Sequence, residues 1–264
     1  MDLELAGRRA FVSASSAGIG AAVAGRLAAE GCAVLVHGRD AERANRVAEE
    51  LRAAGGTAQV VLGDLADGTA ADEVADRALA WGTEVLVNNA GPYAEHDWDT
   101  VTPAAWMEAM NGNVVSAARL VQALVPSMRE RGWGRIIHVG SRAATTPLPH
   151  MVEYSAAKAA VVNMTTSLAQ HLAGTGVTAN TVSPGVIATA GLRQMFEDRA
   201  AAAGSTESWP ELEPRVAAEY APNPSGRLGT GADIAAAVAF LASPLAGYIN
   251  GIDLRVDGGI ARVP

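Results

Sequence analysis

The residues best placed to do chemistry are Tyr154 and Lys158. Lys158 is the only lysine among 20 basic residues; the other 19 are arginines. On a helix, positions four apart share one face, so this spacing would set a phenol beside an ammonium. A nearby positive charge favours phenolate and lowers a tyrosine from its usual pKa of about 10. A pair held this way can give or take a proton near neutral pH. Arginine would keep the charge but spread it over a planar fork instead of a compact point. The competing reading is a lone surface lysine in an arginine-biased chain, and the stretch Tyr154-Ser155-Ala156-Ala157-Lys158 does not by itself choose between the two.

The elements that must position this pair can be read along the chain. Residues 9–13 are a short apolar run, and Ala14 to Gly20 is small and glycine-rich. Residues 19–30 have helical spacing, with Ile19, Val23 and Leu27 on one face, and 33–37 are a second apolar run. Strand, glycine turn, helix and strand make a βαβ unit with a buried parallel pair. Glycines where a helix begins let a backbone approach a ligand closely, and free N–H groups there attract phosphate. The alternation continues with strands at 58–62, 84–88, 135–139, 177–182 and 252–256. Helices are expected at about 40–54, 69–81, 103–130, from 151 onward and at 231–242. Repeated alternation of this kind predicts an α/β fold: a single-domain Rossmann fold with a doubly wound, seven-stranded parallel sheet and helices on both faces. The domain would span residues 1–264. Residues 190–226, with Trp209, Pro210, Pro214, Pro222 and Pro224, break the pattern and read as a substrate lid.

Composition narrows the class of function. A net charge of −8 without a basic tract argues against a nucleic-acid surface. Cys32, the one cysteine, excludes an intramolecular disulfide and a cysteine metal site. No His/Asp/Glu cluster has metal-ligand spacing, so no metal is expected. The opening MDLELAGRRAFV lacks a charged-then-apolar signal pattern, and no apolar run reaches the ~18 residues of a membrane span. A soluble, cytoplasmic protein is the expectation.

Several motifs occur in order at strand ends: Ser13-Ala14-Ser15-Ser16-Ala17-Gly18-Ile19-Gly20, Asn88-Asn89-Ala90-Gly91, Ser141, Tyr154-x-x-x-Lys158 and Pro184-Gly185. This pattern resembles the classical short-chain dehydrogenases/reductases, and among them the 3-oxoacyl-ACP-reductase-like members, over essentially the whole chain. The resemblance implies a proton-moving tetrad of Ser141, Tyr154, Lys158 and Asn113. Ser141, 13 residues before Tyr154, would hydrogen-bond the substrate carbonyl. Tyr154 would donate the proton in reduction, and Lys158 would lower its pKa and hold the nicotinamide ribose. Asn113, seven residues after Trp106, would extend a proton relay; Asn111 is out of register by two.

For the cofactor, the resemblance implies contacts from Ser13, Ser16, Gly18, Ile19 and Gly20 at the pyrophosphate turn. Ala14 stands where the family usually has its first glycine, which is tolerable only if the backbone there avoids positive φ. Asp64 and Leu65 would flank adenine, and Asn89, Ala90 and Gly91 would face ribose. Pro184, Gly185, Ile187 and Thr189 would line the nicotinamide, with Asn88 tying strands together. At the end of the second strand Gly38-Arg39 replaces the acid that binds a ribose 2′-OH in NAD enzymes. A guanidinium suits a 2′-phosphate, with Ser15 adding a hydroxyl, so NADP(H) is favoured over NAD(H). The alternative pairs Arg39 with Asp40 or Glu42 on the surface. His37 reads as a strand-end residue.

Substrate-pocket candidates are Tyr93, Arg142, His150, Met151, Leu192 and Phe196. Arg142, next to Ser141, would recognise an acidic substrate group unless it points away. The function implied is an NADPH-dependent carbonyl reductase acting on a 3-oxoacyl or polyketide-like ketone. The alternatives are an NAD(P)-dependent alcohol or polyol dehydrogenase running oxidatively and a non-catalytic nucleotide-binding sensor. The partners expected are a small-molecule substrate and further copies of the chain, as a homotetramer or homodimer, with no nucleic acid and no membrane.

Overall fold

The apolar runs become strands, those at the centre of the sheet buried on both faces and the edge strands partly accessible. The computed structural model describes residues 2–262. Its strands are β1 (Arg9–Val12), β2 (Ala33–Gly38), β3 (Thr57–Leu62), β4 (Val85–Asn88), β5 (Gly134–Val139), β6 (Val177–Pro184) and β7 (Asp253–Val256). They form one sheet in the order β3-β2-β1-β4-β5-β6-β7, every pair parallel. The chain builds outward from β1 to β3, then crosses to β4 and builds the other way. The carboxyl ends of β1 and β4 therefore flank the reversal point, where open α/β sheets form a crevice.

Helices cover both faces: α1 (Gly18–Ala29), α2 (Ala41–Ala53), α3 (Gly68–Ala80), α4 (Pro103–Met110), α5 (Ser116–Arg131), α6 (Val152–His171), α7 (Ala190–Ala202), α8 (Trp209–Glu219) and α9 (Gly231–Ala242). Alternation along a strand sends Ala10 and Val12 into one core, with Val23, Leu27, Ile234 and Val238, and Phe11 into the other, with Leu86, Leu120, Leu124 and Ile136. Short polar side chains start many of the helices. Asp40, Asp67, Thr102 and Thr189 each accept a backbone N–H from the first turn, and Thr230 with Asp233 closes a capping box. No helix among the described residues is long and apolar enough to cross a membrane.

One expected element is not regular. The single helix over 103–130 is interrupted by a π-helical turn at Asn111–Val115 between α4 and α5. Side chains compete for the backbone there: Asn113 Nδ2 donates to the Ala109 carbonyl at 2.9 Å, and Ser116 Oγ donates to Gly112 at 2.7 Å. The 190–226 segment holds a third, separate cluster. Trp209, Leu212, Val216, Ala217 and Ala221 are buried there together with Leu228 just beyond it, with Leu192, Phe196 and Tyr220 packed against them.

Candidate active site

The carboxyl edge of β1, β2 and β4 is fastened by small polar groups. Ser13 Oγ accepts the N–H groups of Asn89 and Ala90, both at 2.9 Å. Asn89 Nδ2 donates to the carbonyls of Ser13 and Ala14. Ser15 Oγ donates to Val12 O at 2.7 Å and accepts His37 N–H at 2.9 Å. His37 Nδ1 accepts Ala14 N–H at 2.9 Å, and its Nε2 lies 3.1 Å from Gly63 O, which makes Nε2 the protonated nitrogen. Burial pushes the His37 imidazole down to about 4, so the neutral ring these bonds require is the form present near pH 7. A Cβ on Gly20 would collide with Ala14 O, and α1 starts behind Ala17 without a side-chain cap. Its first N–H groups thus remain available to an anion.

Beside this turn lies a cleft of about 400 Å³, lined among others by Ser16, Gly38, Arg39, Asp64, Leu65, Ala90 and Gly91. Arg39, largely exposed, reaches Asp64 at 3.3 Å rather than Asp40 or Glu42. An exposed pair of this kind contributes about 0–1 kcal/mol and leaves the guanidinium free to take a better anion.

The tetrad residues converge at the carboxyl ends of β4 and β5. Lys158, buried on α6, donates to Val139 O at 2.9 Å, with Nζ 5.6 Å from the Tyr154 ring centre. Ser141 Oγ accepts Ala143 N–H at 3.1 Å and lies close enough to the Tyr154 phenol to favour its ionised form. Asn113 Nδ2 is held by Pro92 O and Ala109 O, and its buried Oδ1 has no partner among the described residues. A Cβ on Gly91 would overlap that Oδ1 and lie 3.0 Å from Lys158 Nζ, so only glycine lets the two groups approach here. Asn111 instead donates to Ala66 O at 2.7 Å, away from Lys158.

A profile of the short chain dehydrogenase family matches residues 8–200. The chain belongs to that family. It is 33% identical over 256 residues to a 3-oxoacyl-[acyl-carrier-protein] reductase of Haemophilus influenzae, covering 96% of this chain and 98% of that one. L-sorbose reductase of Gluconobacter frateurii, solved with NADPH and L-sorbose, superimposes with a TM-score of 0.94 at 30% identity, covering 100% of both chains. A putative NAD(P) dependent gluconate 5-dehydrogenase of Beutenbergia cavernae, solved with bound NADP, gives 0.88 at 34% identity, again over 100% of both.

Within this dehydrogenase several sequence expectations need correction. Ser15 offers nothing to a 2′-phosphate, because its buried hydroxyl is used twice inside the turn. Ser16 is the hydroxyl beside Gly38, where a Cβ would lie 2.7 Å from its Oγ. The hydroxyl of Ser13, expected at the pyrophosphate turn, and the amide nitrogen of Asn89, expected at a ribose, are likewise engaged in bracing the sheet edge. Ala14 does adopt positive φ, +49°, which glycine would take without strain. Lys158 does not bring Tyr154 below its ordinary value. Burial of the hydroxyl end raises the phenol, against the opposing pulls of the Ser141 hydroxyl and the Arg142 charge. Burial also lowers Lys158 itself, to about 8.

On the substrate side, Tyr93 presents an edge to Tyr154 with ring centres 6.3 Å apart. Arg142 is half-buried, and its charge favours the ionised form of the Tyr154 phenol. His150 is exposed ahead of α6, and Met151 is buried. Leu192 and Phe196 pack into the 190–226 cluster, Phe196 edge-on to Tyr220 at 5.0 Å. Thr189 caps α7, and its methyl lies 3.7 Å from where a Gly18 Cβ would stand, so the loop after β6 meets the glycine turn. Ile187 is buried and bridges Gly229, while Gly185, after Pro184, donates to Val256 O. Asn88 Nδ2 meets His138 at 3.3 Å between β4 and β5. Sequence reasoning missed the bracing role of His37 and a contact between His96 and Glu153. An acid in the first turn of a helix reads as dipole complement, which hid Glu153.

Proposed function

We propose that this dehydrogenase is an NADPH-dependent ketone reductase whose proton donor is Tyr154. The supporting observation is the juxtaposition around that phenol: the buried Lys158 ammonium lies 5.6 Å from the Tyr154 ring centre, and Gly91 lets Asn113 Oδ1 and Lys158 approach behind it. The glycines at 20 and 91, the uncapped start of α1 and the unpartnered Asn113 Oδ1 fit the dinucleotide. Gly18, Ile19 and Gly20 would hold its pyrophosphate, Arg39 and Ser16 its 2′-phosphate, and Asp64 and Leu65 its adenine. Ala90, Gly91 and Lys158 would hold the ribose, and Pro184, Gly185, Ile187 and Thr189 the carboxamide. NADPH, when bound, supplies the hydride for the ketone carbon.

Ser141 orients the ketone oxygen, and Tyr154 transfers its proton to that oxygen as the hydroxyl forms. Lys158 then returns a proton to the phenolate, with Asn113 at the far end of the relay. A Lys158 ammonium near 8 suits a group that must release and regain a proton in each cycle. The substrate proposed is a 3-oxoacyl or polyketide-like ketone, supported by the likeness to the Haemophilus reductase. Arg142 would meet an acidic or carbonyl group of that substrate. The 190–226 segment serves as the lid, and the enzyme works in the cytoplasm as a homotetramer or homodimer. Exposed Met107 and Val115 on one side and Leu245 and Tyr248 on another offer apolar surface for such contacts.

Oxidation of an alcohol or polyol on the same tetrad is the second reading. The Arg142 charge, which favours phenolate, and the fold likeness to L-sorbose reductase support it. Loss of NADPH absorbance with a generic β-keto ester tests the first reading against NADP-dependent oxidation of a polyol panel. Tyr154→Phe should lower kcat about 10³-fold while NADPH still binds. Undiminished turnover in that variant would refute the mechanism.

A further inference from the structure

Two ionisable groups outside the tetrad meet directly beside Tyr154. Glu153 precedes it on α6 and its side chain is only 2% exposed. A carboxylate so deeply buried requires a partner. That partner is His96, whose Nδ1 donates to Glu153 Oε1. Among the described residues the second carboxylate oxygen has no partner. Main-chain contacts flank the pair: Val152 N–H donates to His96 O at 3.3 Å, and His96 forms a parallel bridge with Met151.

His96 sits on the mostly exposed loop 91–101, which runs from β4 to α4. The same loop carries Tyr93, 65% exposed, with its ring against Tyr154. It also carries Glu95, which reaches Arg199 of α7 at 3.4 Å. Tyr93, His96, Glu108, Glu153 and Tyr154 line one cavity of about 60 Å³. The loop therefore touches α6 on one side and the 190–226 segment on the other. Pro92 O accepts Asn113 Nδ2 at its start, and among the described residues the contact with Glu153 is the one bond that a side chain of the loop makes to a buried side chain.

We propose that the His96–Glu153 pair is a latch that holds loop 91–101 against the catalytic helix, making Tyr93 a fixed wall of the substrate pocket beside Tyr154. Both are positioning residues: they act on substrate through Tyr93 and leave the nucleotide cleft alone. Without the imidazole, Glu153 has no donor in the interior, and the loop opens to let water reach it. The substrate-binding consequence rests on Tyr154 being the reacting group; the hold on the loop does not.

The test compares His96→Leu, which has no donor, with His96→Asn, whose amide nitrogen takes the place of Nδ1. Hydrogen exchange over residues 92–101 is read alongside KM for the β-keto ester, kcat and the NADPH Kd. His96→Leu should speed exchange in the loop and raise KM about tenfold, with kcat and NADPH Kd within about twofold of the parent. His96→Asn should restore both. If His96→Leu does not fold, the His96→Leu/Glu153→Leu double variant removes the latch without leaving an unpaired charge and should behave the same way. Parental exchange and KM in the leucine variant, an equal loss of NADPH affinity, or an asparagine variant no better than leucine would each overturn the latch. Absence of turnover in the parent with every ketone would count against the reductase reading, while loop exchange would still decide the latch.

Discussion

The nucleotide end of the sheet edge and the 190–226 segment are held by different forces. Around β1, β2 and β4, Ser13, Ser15, His37 and Asn89 each make two or more hydrogen bonds, most of them to backbone. Beyond β6, α7 buries none of its residues fully, and the segment coheres through its own apolar cluster and exposed pairs such as Arg215–Glu207. Directional bonds fix one geometry, whereas apolar contacts permit repacking at modest cost. The nucleotide end is thus built before ligand arrives, and the proposed lid can move without disturbing it.

The largest expected effect probes the rigid end through pH. His37 is held near 4 instead of 6.5, chiefly by burial. Between those values the unfolded chain binds a proton there and the folded chain does not. The stabilisation is therefore complete above about 6.5 and is lost as pH falls toward about 4, some ~3 kcal/mol in all. His138, also lowered to about 4 by burial, adds a slope of the same sign. His37→Asn keeps an acceptor for Ala14 N–H but cannot titrate, so its melting temperature should fall less steeply from pH 7 to 5. An unchanged slope would show that His37 does not tie the turn to acid stability.

The next effect belongs to the other region. Phe196→Ala removes the ring that meets Tyr220 and about 2 kcal/mol of local packing. Protease cleavage within 190–226 should accelerate by about thirtyfold while NADPH affinity stays at the parental value. A matching loss of NADPH affinity would mean that the two regions are one cooperative unit.

The same contrast explains what the sequence could tell. Strands and helices were legible because burial on both faces demands continuous apolar runs, and the meeting of Asn113, Tyr154 and Lys158 at one sheet edge because the family resemblance implies it. The π-turn was not, since nothing in the apolar period of 103–130 marks where Asn113 captures the Ala109 carbonyl. Ser15 and Ser16 are chemically alike, and only the fold turns one inward and the other toward Gly38. Leu192 and Phe196 looked like pocket walls because apolar residues near a site read the same whether they face substrate or each other. The direction of the Tyr154 shift required knowing how deep the phenol lies, which spacing to Lys158 does not reveal.

Arg39→Ala should weaken NADPH binding about tenfold, or ~1.4 kcal/mol, and leave NADH nearly unchanged. Titration of both nucleotides by fluorescence reads this directly. Equal losses would assign Arg39 to the exposed Asp64 pair and would remove the charge argument for NADP(H).

The smallest effect concerns strain inside the rigid end. Ala14 at φ +49° carries a methyl where the left-handed conformation costs an L-residue roughly 1 kcal/mol. His37 Nδ1 and Asn89 Nδ2 hold the residue there through its N–H and carbonyl. Ala14→Gly relieves that strain but loosens the unfolded chain, which returns about 0.5 kcal/mol of it. The net gain should be a few tenths of a kcal/mol to about 1, seen as a rise in melting temperature of about 1–3 °C. If the variant melts lower instead, the hydrogen bonds have already relaxed the backbone at Ala14, and the turn is unstrained as it stands.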